Sequence, residues 1–159
     1  MEYTFQIYLA GGMQNLSFEK QLEWRDRFVA KTQEIVELSI DYGCDCFVPS
    51  VRFINPVRYY NYEHKKYDTE KEVMNFDTRL VKNSDLLIVN ANDPNSIGTS
   101  MEIAIAHEHN IPILIFNEKD EDLHPWWIEM SDKIFKDEYD MYNYIVKFYL
   151  VHRDYIDKY

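Results

Sequence analysis

At 159 residues the chain has the length of one ordinary domain, and it can bury a core without disulfides or a structural metal. Its 17 basic and 28 acidic side chains leave a net charge of −11, which repels phosphate backbones and argues against a nucleic-acid polymer as partner. Apolar residues make up 46%, a globular composition, and no apolar run approaches the roughly 18 residues of a membrane span. Met1-Glu2-Tyr3-Thr4 lacks the basic start of a secretory signal. Cys44 and Cys46 stand one residue apart, too close to staple anything, and read as small buried hydrophobes. The expectation is a cytoplasmic, soluble protein. Aromatics reach 16%, which suits a bulky core, an oligomer interface or a stacking surface for planar ligands.

Strand and helix patterns then alternate without repeats or linkers, so residues 1–159 read as a single domain. Tyr3–Leu9 is a strand ending in the turn Ala10-Gly11-Gly12. Ser17 caps a helix to about Tyr42, with Phe18, Leu22, Phe28, Ile35 and Leu38 as its apolar stripe. Cys44–Pro49 reads as a second strand, and Ser50–Asp68 as a polar loop rich in tyrosine (Tyr59, Tyr60, Tyr62, Tyr67). Thr69–Lys82 is helical. Asp85–Val89 is a nearly continuous apolar run, the pattern of a strand buried on both faces. A turn, Asn90–Gly98, feeds a helix at Thr99–His109; Ile111–Phe116 and a short Lys133–Phe135 complete five strands, and Glu138–Tyr155 is a final helix. Such alternation predicts an α/β three-layer sandwich of the flavodoxin-like or Rossmann-like kind, with a parallel sheet in the order 2-1-3-4-5. Ligands in such sheets sit beyond the carboxyl ends of the strands, at the switch point between strands 1 and 3.

Three side chains with chemistry fall at that edge. Glu102 follows Gly98 and Thr99 at the start of a helix, whose free N–H groups favour anions. Thr99-x-x-Glu102 is also a formal capping box, in which the glutamate merely caps its own helix. Tyr8 lies near the end of strand 1. Asp77 lies on the helix leading into strand 3, either as a solvated helix acid or turned to the site. A tyrosine and two carboxylates converging on one edge suit displacement at a sugar anomeric carbon.

Tyr8-Leu9-Ala10-Gly11-Gly12, Asp77, Ser84-Asp85-Leu86-Leu87-Ile88-Val89-Asn90 and Gly98-Thr99-Ser100-Met101-Glu102-Ile103-Ala104-Ile105-Ala106 together resemble the nucleoside 2-deoxyribosyltransferase family, which includes related 2′-deoxynucleoside 5′-phosphate N-hydrolases. The resemblance runs in order from Tyr3 to about Phe116. It implies Glu102 as the nucleophile that forms a 2-deoxyribosyl ester, Tyr8 as its orienting partner, and Asp77 as the group that assists proton transfer or holds the sugar. It also implies a small-molecule substrate, a homo-oligomer, and no metal or organic cofactor, the carboxylates alone stabilising the sugar cation.

Two departures bear on the substrate. Where the transferases usually carry an aspartate that reads the base, this chain has Ser96, as in the hydrolases, where the serine helps bind a 5′-phosphate. The hydrolases also carry Ser-x-Arg in the first loop, whereas Gly12-Met13-Gln14 supplies no cation, and Arg25, Arg58 or Arg79 would have to fold in. Transfer to a second base is therefore favoured over hydrolysis. Gly11, Gly12 and Gly98 are expected to let backbone approach the ligand. Asp93, Asn92 and Asn95 are candidates for base recognition and are equally ordinary turn residues. The resemblance also implies that a residue following strand 4 of a neighbouring subunit closes the site; at that position His124 would hydrogen-bond to a base and Trp126 stack on it, or the segment simply covers the end of the sheet. His107 and His109 stand at i and i+2, on different helix faces, and make no zinc pattern. A non-catalytic nucleotide sensor of the same fold, or a purely structural interaction protein, remains the competing class.

Overall fold

The computed structural model describes residues 4–14, 16–41, 46–47, 49–60, 69–150 and 152–153. Five parallel strands form the central sheet: β1 (Thr4–Gly11), β2 (Ser50–Ile54), β3 (Leu86–Asn90), β4 (Ile113–Phe116) and β5 (Lys133–Phe135). Their order is β2-β1-β3-β4-β5, the predicted 2-1-3-4-5 arrangement. Parallel strands cannot be joined by tight hairpins, so helices carry the crossovers. These are α1 (Phe18–Asp41), α2 (Glu70–Lys82), α3 (Ile97–Glu108) and α4 (Pro125–Met130), with α5 (Glu138–Ile145) after the last strand.

Both faces of the sheet are covered. Ile7, Leu9, Leu86, Ile88 and Leu114 pack with Phe28 of α1 and Met141, Tyr142 and Ile145 of α5. Alternate residues, Tyr8, Ala10, Leu87, Val89, Ile113 and Ile115, pack on the other side with Val81 of α2, Ile103 and Ala106 of α3, and Trp127 of α4. The period of two along each strand thus divides the apolar residues between two cores. Tyr8 pairs with Ile54 on one side and Leu87 on the other, which puts it on the strand flanked by both neighbours. Gly11 pairs with Asn90, and Asn90 with Phe116, so these three residues lie level at the carboxyl edge.

Two expectations are corrected. The second strand of the sheet is Ser50–Ile54 and not Cys44–Pro49. This is an edge strand: Ser50 and Arg52 face solvent, Val51 and Phe53 are half-buried and Ile54 is buried, so the segment reads as polar. Pro49, with no N–H to donate, immediately precedes it. Cys46–Phe47 instead makes a short antiparallel pair with His152–Arg153. The last helix also differs: α5 stops at Ile145, one π turn follows at Val146–Leu150, and the chain is extended at His152–Arg153. The expectations for Gly43, Cys44, Tyr62 and Tyr67, and for the side chains of Cys46, Tyr59 and Tyr60, lie outside the described residues. Among the described residues no helix is long and apolar enough to cross a membrane.

Candidate active site

The start of α3 shows whether Glu102 is a cap. Ser96, not Thr99, is the N-cap: its Oγ accepts the Thr99 N–H at 3.3 Å and the Thr99 hydroxyl at 2.9 Å. The helix therefore begins at Ile97, two residues before the expected Thr99, and Gly98 lies in its first turn instead of in the preceding loop. Glu102 falls in the second turn, beyond the reach of a capping bond to Thr99. The capping-box reading is thereby excluded, and the Ser96 side chain is occupied as a cap.

Glu102 is turned toward the end of β1. Its Oε2 is shielded from solvent and has no hydrogen-bond partner among the described residues. Burial pushes its pKa up to about 7; the nearby Asp77 charge adds to the rise, while a hydrogen bond from the Tyr8 hydroxyl and the positive charge of Arg25 oppose it. Tyr8 is fully buried, in the core between the sheet and α2 to α4. Asp77 is half-buried on α2 and interacts with the same group, so it is no solvated helix acid. Three elements (β1, α2, α3) thus bring Tyr8, Asp77 and Glu102 into one electrostatic cluster. Two carboxyl groups sharing a low-dielectric site resist ionising together, which is how acid and base roles are separated at neutral pH.

The loops beside the cluster are clasped. Asn92 accepts the Gly12 N–H on Oδ1 at 3.0 Å and returns a bond from Nδ2 to the Gly12 carbonyl at 3.4 Å. A Cβ on Gly12 would come within 2.5 Å of the Asp93 Cβ, and one on Gly11 within 3.0 Å of Trp24 Cζ2. Gly12 is thus required by the close approach of the Asp93 Cβ, whereas a Cβ on Gly11 would ask only a small shift of the Trp24 ring. Asn92 is occupied with this clasp, while Asp93 folds its own turn by accepting the Asn95 N–H at 3.1 Å. Gly98 is different: a Cβ there would meet nothing within 4 Å, so the helix backbone one turn before Glu102 stands open.

His124 caps α4, its Nδ1 accepting the Trp126 N–H at 3.1 Å, and Trp126 is 68% exposed with its ring edge-on to His124. Of the Pro-Trp-Trp segment, it is Trp127 that covers the sheet, buried and donating to the Ser100 hydroxyl at 2.9 Å. Sequence reasoning missed Arg25 as part of the site, having weighed it only as a phosphate donor. Its signal was present: it lies three residues after Leu22 and three before Phe28 on the apolar stripe of α1, where a charge has to be buried. Among the described residues no cluster of His, Cys, Asp and Glu is arranged to hold a metal.

With this geometry in place, the fold can be set against known structures. A 2-deoxyribosyltransferase from Bacillus psychrosaccharolyticus superposes with a TM-score of 0.65 at 18% identity, over 87% of this chain and 91% of that one. The fold is shared with a deoxyribosyltransferase. A conserved protein from Enterococcus faecalis matches at a TM-score of 0.71 and 16% identity, over 91% of this chain and 99% of the other. A CMP N-glycosidase from Clostridium botulinum matches at 0.51 and 15% identity, over 90% and 98%. No family model matches the sequence, and no curated protein does. At such identities the likeness is one of fold alone.

Proposed function

We propose that this protein cleaves the N-glycosidic bond of 2′-deoxyribonucleosides and transfers the sugar to a second nucleobase. The observation that carries the reading is the Glu102 carboxyl: Oε2 shielded from solvent, released from any capping duty, and approached by Tyr8 and Asp77. In the first step a Glu102 oxygen bonds to C1′ while the C1′–N bond breaks, and the base leaves with the bonding pair. Asp77 protonates the departing base or holds the sugar hydroxyls, and Tyr8 orients the nucleophile. In the second step an incoming base attacks C1′ and frees the carboxylate, so two displacements leave the configuration retained. The residues supply this chemistry without a metal or organic cofactor.

Two of the three arginines considered for a 5′-phosphate support a base as the acceptor. Arg25 is committed to backbone carbonyls, and Arg58 is paired with Asp26 at 3.0 Å, so neither is held ready for a 5′-phosphate. Gly11, Gly12 and Gly98 line the approach, with Asp93 or Asn95 reading the base and Trp126 and His124 closing over it. Hydrolysis of deoxynucleoside 5′-monophosphates is the alternative, supported by Ser96 and the open first turn of α3 at Gly98. Chromatography of the protein incubated with each deoxynucleoside and each 5′-monophosphate, with and without a second free base, separates the readings. Exchange that requires the added base is the expected result. Free base from monophosphates alone would move the assignment to a hydrolase, and stable binding with no turnover would make the protein a nucleotide sensor.

A further inference from the structure

We propose that Arg25 is a positioning residue: a buried cation that holds the carboxyl end of β1 by its backbone and supplies the positive charge against which Glu102 ionises. Its side chain is completely buried, which is rare for an arginine and requires that its donors be satisfied. Nε donates to the Leu9 carbonyl at 3.1 Å, Nη2 to the Gly11 carbonyl at 3.3 Å, and Nη1 to the Gln21 carbonyl at 2.8 Å. Two of these carbonyls belong to the strand that carries Tyr8, so the guanidinium fixes the strand end on which the orienting hydroxyl depends.

The placement is informative in a second way. Arg25 reaches β1 from α1, on one face of the sheet, whereas Asp77 on α2 and Glu102 on α3 reach it from the other. Among the described residues Arg25 makes no direct ion pair. Its charge is nevertheless felt by Glu102, Tyr8 and Asp77, in that order of strength. Burial lowers its own pKa only to about 10, so it stays protonated at neutral pH. A direct bidentate partner would hold the carboxylate in place and blunt it. A cation behind the strand favours the charged form without bonding to it. The groups that face Glu102 are then Tyr8 from β1, Asp77 from α2 and Arg25 from α1, and only Arg25 contributes positive charge.

The inference rests on Glu102 being the nucleophile wherever turnover is the readout, so the decisive test does not use turnover. The titration of the Glu102 carboxyl is followed by 13C NMR in the wild type, Arg25→Gln and Arg25→Lys, with Glu102→Gln identifying the resonance. In Arg25→Gln the midpoint is expected to rise by about one pH unit, and in Arg25→Lys to return most of the way. If turnover is present, the acid limb of kcat/KM shifts with it, a loss of roughly tenfold at pH 6 that shrinks above pH 9. An unmoved midpoint in a folded Arg25→Gln protein, or a rate lowered equally at every pH, would overturn the proposal and leave Arg25 a structural clamp. Should Arg25→Gln fail to fold at pH 8, the double variant Arg25→Gln/Glu102→Gln decides. Recovery of folding shows that the cation answers the carboxylate; no recovery shows that it serves only the three carbonyls, and the proposal falls. A shifted midpoint without any base release would keep the Arg25 inference and remove the enzymatic one.

Discussion

At the level of single residues, the raised pKa of Glu102 makes function and stability pull in opposite directions. The carboxyl titrates near pH 4.5 when exposed and at about 7 in the folded protein, so the folded state holds this proton more tightly than the unfolded one. That contribution to stability is fully present below pH 4.5 and is lost as the pH rises to about 7, amounting to about 3 kcal/mol. Glu102→Gln carries no such charge. Its thermal midpoint is therefore expected to equal that of the wild type near pH 4.5 and to exceed it increasingly up to about pH 8, while base release disappears. Calorimetry over that range checks the sign; a variant less stable than the wild type at pH 8 would mean that the charged carboxylate stabilises the fold. A destabilised charge at the proposed nucleophile is the usual form of a stability–activity trade-off. The role of Glu102 was half legible in the sequence. The motif placed it at the sheet edge, but Thr99-x-x-Glu102 also fits a cap, and only the dihedrals and bonds of Ser96 separate the two.

Among the elements, the two loops at the switch point form one unit because Gly12 and Asn92 exchange hydrogen bonds. Gly12 and Gly98 make a controlled comparison. An alanine at Gly12 meets the Asp93 Cβ at 2.5 Å, which is backbone-proximal and unable to swing away, so the loops must part. Gly12→Ala is expected to lose about 1–3 kcal/mol in a denaturant titration, as overpacked sites do. Gly98→Ala adds its methyl to open space within a helix and is expected to gain about 0.5–1 kcal/mol from reduced chain entropy. On the proposed reading its KM is nevertheless expected to rise, since the methyl would stand on the substrate's approach to Glu102; an unchanged KM would place the substrate elsewhere. The same scale explains what was misread. Leu86–Asn90, buried on both faces, has a long apolar run that only a central strand needs, and its pattern was plain. Ser50–Ile54 has one neighbour strand and one wet side, so its alternation drowned in a polar stretch. His152–Arg153 becomes a strand only because Cys46–Phe47 lies beside it, a contact made across the whole chain and invisible to any local period.

Over the whole molecule, the candidate site is a product of convergence. The fold brings Tyr8 of β1, Asp77 of α2 and Glu102 of α3 into one electrostatic cluster, although they are far apart in the chain. The order 2-1-3-4-5 was legible because alternating strand and helix patterns admit few topologies. The reach of Arg25 through the backbone of β1 was not, because a residue acting across a sheet leaves no spacing signature. The central claim is that Glu102 attacks carbon and becomes esterified. The most direct measurement is mass spectrometry of the protein mixed with a 2′-deoxynucleoside and quenched in acid, followed by peptide mapping. The account predicts a mass increase of one dehydrated deoxyribose on the peptide containing Glu102, discharged when a second base is added. Base release with the adduct on another residue, or with no adduct at any quench time, would contradict it.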